Sequence, residues 1–165
     1  MIYIKKIFPK NVNKNYVKWL NDPEVVRFTE QRYKKHTISE IRKYVSVIIK
    51  SKKEFLYGIF VKKNKFHIGN IKLGPIDFFH KTAEIGYIIG EKDYWGKGIT
   101  KLAIREVIKI AKKKKIKKIH SGCYESHKSS IRLFHKCGFI KEGKLVSHYI
   151  YNNKRISWLI YSKHI

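Results

Sequence analysis

The sequence predicts an α/β (α+β) fold, a mixed, twisted central sheet of about seven strands flanked by about four helices. Three features carry this expectation. Segments that alternate apolar and polar residues are interleaved with segments whose apolar residues return every three or four positions, in the order β-α-α-β-β-β-α-β-α-β-β. A pair of glycines, Gly96 and Gly98, joins one strand directly to the longest helix. No repeat, low-complexity linker or proline-rich break divides the 165 residues, which are therefore expected to form one domain.

Taken in order, residues 2–8 alternate as a strand, and residues 13–20 form a short helix with Tyr16, Trp19 and Leu20 on one side. Thr37 and Glu40 are spaced as a capping box, in which each side chain satisfies the other residue's backbone N–H. Ile41, Tyr44, Val45, Ile48 and Ile49 follow as the stripe of an amphipathic helix. Strands are expected at 54–61 and 65–73, around a turn at Lys62-Lys63-Asn64, and at 82–89. A helix from Gly98 to about Lys114 sets Ile99, Ala103, Val107 and Ala111 opposite Lys101, Arg105, Lys109 and Lys112. A strand at 118–124, a helix at 127–137 and strands at 139–150 and 154–162 complete the chain, the last two joined at Asn152-Asn153. Pro9, Pro23 and Pro75 are expected in loops or at element ends.

Composition narrows the function classes. No apolar run approaches the roughly 20 residues of a membrane helix, and the first residues alternate as a strand instead of building a signal peptide; the expectation is a cytoplasmic protein without a membrane partner. Two cysteines, Cys123 and Cys137, are too few for a disulfide scaffold, and the eight histidines are scattered, so no metal is expected. Lys and Arg total 38 against 12 acids, a formal charge of +26. That field attracts polyanions. Enrichment in Lys, Ile, Asn and Tyr together is equally what an AT-rich genome produces. No helix-turn-helix, zinc finger or RNP-like aromatic motif accompanies the charge, which ranks a nucleic-acid-binding protein low.

The segment from Ala83 to Thr100 is the most informative. A strand enters a turn holding Gly96 and Gly98, and a helix starts at once. The unpaired N–H groups of that helix start, with its dipole, favour a pyrophosphate, to which Lys97 and Thr100 add a charge and a hydroxyl. The spacing is neither a Walker A loop nor a dinucleotide fingerprint.

Asp93-Tyr94-Trp95-Gly96-Lys97-Gly98 resembles the acetyl-CoA pyrophosphate loop of the GNAT N-acetyltransferases, Gln/Arg-x-x-Gly-x-Gly/Ala, with Asp93 departing at the first position. Ser126 to Phe139 resembles the family's Asn-x-x-Ser…Lys-x-Gly-Phe segment, with His127 in place of Asn and Ser130, Lys136, Gly138 and Phe139 matching. Trp19 to Val25 resembles the first-helix segment of the branch that holds ribosomal-protein N-terminal and nucleotide-amino-sugar acetyltransferases. The resemblance implies the GNAT fold over residues 1–165 and acetyl-CoA as co-substrate. It implies cofactor contacts from backbone groups of Tyr87, Ile88 and Ile89, from Trp95, Gly96, Lys97, Gly98, Ile99 and Thr100, and from His127, Ser130, Phe134 and Lys136.

For direct acetyl transfer the resemblance points to Glu84 as general base, on the strand face it shares with Gly86 and Ile88, with His148 as second candidate. The family's proton-donating tyrosine falls at Phe134, which leaves Ser130, His135 or water to protonate the thiolate. The segment 27–37 is expected to hold a small anionic amine through Phe28, Glu30, Arg32, Tyr33 and His36, with a nucleotide-linked amino sugar ahead of a protein α-amine. A homodimer is left open.

Overall fold

The computed structural model describes residues 1–165 and gathers seven strands into one sheet. β1 (Ile2–Lys6), β2 (Phe55–Val61), β3 (His67–Asp77) and β4 (Thr82–Ile89) run antiparallel in succession. β5 (Lys118–Tyr124) lies parallel to β4, and β7 (Lys154–His164) sits between β5 and the outer strand β6 (Ile140–Tyr151). A parallel neighbour requires a crossover, which α4 (Ile99–Lys113) supplies.

α1 (Lys14–Asn21) and α3 (Ile38–Lys50) cover one face, burying Tyr16, Trp19, Leu20, Ile41, Val45 and Ile48 against Ile7 and Leu56. α4 and α5 (Lys128–Lys136) cover the other, where Ala103, Ile104, Val107 and Phe134 meet Ile59, Ile71, Leu73, Ile85 and Ile119. Side-chain alternation lets β2 and β4 feed both cores, and burying one such aliphatic side chain stabilises the fold by about 1.5–3 kcal/mol. The Thr37–Glu40 box forms as expected, with the Glu40 N–H donating to Thr37 Oγ1 at 3.2 Å and the Thr37 N–H to Glu40 Oε2 at 2.8 Å. Asn152 and Asn153 take φ of 50° and 58°, the left-handed pair that a two-residue hairpin turn demands. No helix is long and apolar enough to cross a membrane.

Two departures have physical causes. An additional single-turn helix, α2 (Pro23–Val26), starts where the Asp22 carboxylate accepts the Glu24 and Val25 N–H groups at 2.9 and 3.4 Å and Pro23 takes the first helical position. Four residues carry no periodicity, so those caps are its only signal. Pro75 lies inside β3, not at an element end, because the β3–β4 register slips between Leu73 and Ile76 and the missing N–H falls in that irregularity.

Candidate active site

β4 and β5 pair only where Thr82–Glu84 face Lys118–His120; beyond Glu84 the ladder ends and the strands part. Backbone groups along β4 point alternately to its two neighbours. The Gly90 N–H donates to Ile68 O of β3 at 2.9 Å, whereas Ile85 O accepts from Ser121 Oγ of β5 at 2.8 Å and Ile89 O from Trp95 Nε1 at 2.9 Å. Tyr87, between them, turns its N–H and C=O into the gap, while Ile88 turns its own toward its partner Asn70. Side chains alternate too: Tyr87 packs on the α4–α5 side and Ile88 on the α1–α3 side.

A cavity of about 710 Å³ occupies the gap and reaches both faces of the sheet. Tyr87, Ile88 and Ile89 floor it, Val25, Phe28 and Thr29 form one wall, and His127, Ser130, Leu133 and Lys136 another. The third wall is the start of α4, with Trp95, Gly96, Gly98, Ile99 and Thr100. Gly96 and Gly98 have φ of 73° and 74°, left-handed values that strain any side chain, and no side chain caps the helix. Leu102 N–H is the first to reach back, to Gly98 O at 3.3 Å, so the N–H groups of Ile99, Thr100 and Lys101 have no acceptor within the helix. Polyphosphate fits such an end.

The charge of the lining agrees. Arg27, Lys101, Arg132 and Lys136 face Glu24 alone, and Glu24 is held by Lys92 Nζ at 2.6 Å. His127 adds no charge near neutrality: burial, reinforced by Arg27, pushes its pKa down to about 4, and its ring stacks on Phe28 at 4.1 Å. The Trp19 indole donates to Glu91 Oε1 at 2.9 Å and covers Gly90, where a Cβ would sit 2.0 Å from the ring, so α1 is clamped to the end of β4.

Residues 7–140 match the acetyltransferase (GNAT) domain. The chain belongs to the GNAT acetyltransferase family. It is 36% identical over 92 residues to a probable N-acetyltransferase, YjcK, of Bacillus subtilis, an alignment covering 54% of this chain and 50% of the relative. The chain spans about half the length of the curated relatives it matches. Among solved structures, the spermidine N-acetyltransferase of Vibrio cholerae with CoA and spermine superposes with a TM-score of 0.89 at 19% identity, over 99% of this chain and 95% of that one. The microcin C7 self-immunity acetyltransferase MccE, with acetyl-CoA and AMP, gives 0.85 at 25% identity, over 99% and 92%. The parted β4 and β5 with a bare helix start beside them are thus the architecture of a GNAT protein.

This GNAT fold brings together most of the residues expected at the cofactor and moves others away. Tyr87, Ile89, Trp95, Gly96, Gly98, Ile99, Thr100, His127, Ser130 and Lys136 line one cavity. Ile88 lines it by its side chain, but its backbone faces β3, so the free main-chain groups of β4 are the N–H and C=O of Tyr87 and the N–H of Ile89, whose C=O is held by Trp95. Lys97 is exposed and outside the cavity lining, its Nζ 5.7 Å from the Tyr94 ring centroid, whereas Lys101, in the first turn of α4, lines the cavity. Phe134 is 1% exposed; its ring, without a polar partner, packs on Tyr161 and Phe139 behind Tyr87 and reaches no cofactor space.

Of the catalytic candidates, Ser130 lies on the cavity wall, accepting from Tyr87 Oη at 3.0 Å. Glu84 is exposed on the opposite sheet face, at the last paired residue of β4 beside His120 and next to Gly86, over which there is open space. His148 does not reach the site. It sits on the outermost strand where the β6–β7 register breaks between Leu145 and Tyr149, exposed against the Tyr149 ring.

The 27–37 segment also needs correction. Arg32 directs its guanidinium to Thr29 O at 2.8 Å, Tyr124 Oη at 3.0 Å, Ile150 O at 3.4 Å and the Tyr33 hydroxyl, so it fastens this segment to the β6–β7 hairpin. His36 is buried, with its N–H on Asn21 Oδ1 at 2.8 Å and its ring against Gln31 O. Glu30 accepts from Tyr124 Oη at 2.6 Å, and the Tyr33 hydroxyl donates to Ile150 O at 3.0 Å. Only Phe28 of the expected acceptor residues enters the main cavity. A neighbouring cavity of about 650 Å³ is lined by Arg27, Arg32, Tyr33, Lys34, Lys35 and Tyr151 among others, with no acid. Three further lining residues were not expected from sequence: Lys101 directly follows Thr100, Arg132 lies inside the Ser126–Phe139 segment, and Thr29 lies inside the 27–37 segment.

Proposed function

We propose that residues 1–165 form one catalytic domain that transfers the acetyl group of acetyl-CoA directly to a primary amine in a ternary complex. The observation that carries this reading is the single cavity joining the bare start of α4 to the parted β4 and β5. In this reading the N–H groups of Ile99, Thr100 and Lys101 hold the pyrophosphate, with Lys101, Arg132 and Lys136 balancing its charge. Tyr87 and Ile89 offer main-chain groups to the pantetheine as a strand would. A donor of β4 opposes the charge that develops on the thioester oxygen.

Glu84 is the base we favour, because it stands where the strands part, on the open side an amine can approach. Acting directly or through water, it removes the proton that the attacking nitrogen loses. Ser130 is the donor for the departing thiolate: its oxygen accepts from Tyr87, which leaves its own hydrogen free.

We infer an acceptor amine on an anionic, nucleotide-bearing molecule, of which a nucleotide-linked amino sugar is one instance. Arg27, Lys34 and Lys35 in the acid-free cavity beside the site support this, as does the AMP bound in MccE. A polyamine acceptor is the second reading, favoured by the spermidine acetyltransferases among the relatives. A polycation is held by carboxylates, and the one that lines the cavity, Glu24, is paired with Lys92, while the chain carries +26. Thiol release measured with nucleotide-linked amino sugars, spermidine and N-terminal peptides separates these acceptors. Turnover of spermidine or peptides alone removes the anionic acceptor; no turnover and no acetyl-CoA binding removes the transferase reading. Glu84→Gln is expected to lower kcat about 10²–10⁴-fold with acetyl-CoA affinity retained.

A further inference from the structure

The turn between β3 and β4 carries two aromatic side chains that its own construction does not use. Phe78 and Phe79 stand at the tip, 49% and 88% exposed. Tight turns are ordinarily polar. This one is built as a polar turn is, with Asp77 Oδ1 accepting the His80 N–H at 2.8 Å and Lys81 at a φ of 56°. The Phe79 ring meets His80 edge-on at 4.9 Å and otherwise projects into solvent.

Folding collects lysines around this tip from three separate parts of the chain. Lys53 O accepts the Ile76 N–H at 2.8 Å, and Lys81 O accepts the N–H groups of Lys117 and Lys118 at 2.8 and 3.3 Å. Lys52, Lys53, Lys81, Lys115 and Lys117 are all exposed at this end. The acids nearby are engaged: Asp77 holds its own turn, Glu54 pairs with Lys72 and Glu142 with Lys118. Chain-wide lysine enrichment accounts for cations here but not for two exposed phenyl rings among them.

We propose that this end of the molecule docks on an anionic lipid surface. Phe78 and Phe79 enter the boundary between headgroups and acyl chains, and the surrounding lysines lie against the lipid phosphates and carboxylates. A projecting tip suits that partner better than single-stranded nucleic acid, which is bound in a groove that tracks its backbone. This is peripheral attachment, and it revises the expectation of no membrane partner. β4 begins at this turn and ends at the cavity, and its eight residues at about 3.3 Å each separate the two by roughly 25 Å. Docking therefore leaves the cavity open to water.

Cosedimentation with vesicles tests this, comparing equimolar phosphatidylcholine and phosphatidylserine with phosphatidylcholine alone. The protein is expected to bind the acidic vesicles only. Phe79→Asp, with an unchanged circular dichroism spectrum, should weaken binding about tenfold or more. Replacing Lys53, Lys81 and Lys117 by Gln should weaken it and flatten its salt dependence, whereas the same change at Lys14, Lys18 and Lys43 on the α1–α3 face should leave it unaltered. Equal loss in the two lysine sets, or wild-type binding by Phe79→Asp, would overturn the proposal. So would saturable binding to single-stranded RNA at physiological salt without vesicle binding.

Discussion

The Tyr87 hydroxyl donates to Ser130 Oγ at 3.0 Å, bridging β4 and α5 on the wall of the cavity. Burial raises the Tyr87 pKa above the ordinary tyrosine value, although the bond to Ser130 works against the shift. Ser130 is 5% exposed, so removing its hydroxyl strands a buried donor. Ser130→Ala is expected to lower stability by about 1–3 kcal/mol, and Tyr87→Phe by about 1 kcal/mol, since a serine can turn its hydroxyl elsewhere. Urea unfolding of the two variants checks the order. Ser130→Ala with an unaltered kcat would take away its role toward the thiolate.

Gly98→Val tests the helix start. A Cβ at Gly98 meets no protein atom within 4 Å, so the expected folding penalty is only the left-handed backbone strain, on the order of 1–2 kcal/mol. The side chain does, however, stand over the free N–H groups of α4. Calorimetry should show acetyl-CoA affinity reduced at least about tenfold in a protein that remains folded, a loss of about 1.4 kcal/mol in binding. Unchanged affinity would move the pyrophosphate elsewhere.

Arg32→Ala separates a structural role from an acceptor contact. Arg32 holds the 27–37 segment to Tyr124 and to Ile150 of the hairpin, so its loss should lower the melting temperature, with roughly 1.5–3 kcal/mol lost for its charged hydrogen bonds. Acceptor KM should change less than stability does. A wild-type melting temperature with a raised acceptor KM would return Arg32 to the binding site.

His127 predicts an acid-sensitive fold. Its ordinary pKa is 6.5 and its folded value about 4, so between those pH values the unfolded chain holds the extra proton. Stability is therefore lost as pH falls from 6.5 toward 4 and is retained above 6.5. His127→Asn lacks this proton linkage. Its stability relative to wild type should improve on going from about pH 7 to about pH 5, measured by urea unfolding. A constant difference across that window would show that the ring titrates normally.

The sequence alone determined the elements and the helix start, because the forces that set them are local. The apolar stripe of α3 and its Thr37–Glu40 cap involve residues within a turn or two of one another, as do Asn152–Asn153 and the left-handed Gly96 and Gly98. The GNAT family was legible for the same reason, since its two motifs are continuous stretches of chain. Tertiary structure decided what each side chain does once distant elements meet. Whether Phe134 faces a ligand or the core depends on Tyr87, 47 positions earlier, lying over it. Whether Arg32 binds an acceptor depends on a hairpin more than a hundred residues away offering Ile150 O. That the Tyr87 main chain and the Ile89 N–H, and not the groups of Ile88, are free along β4 follows from which neighbour stays paired and which diverges. Those outcomes turn on burial and long-range hydrogen bonding, and neither leaves a spacing that a single chain displays.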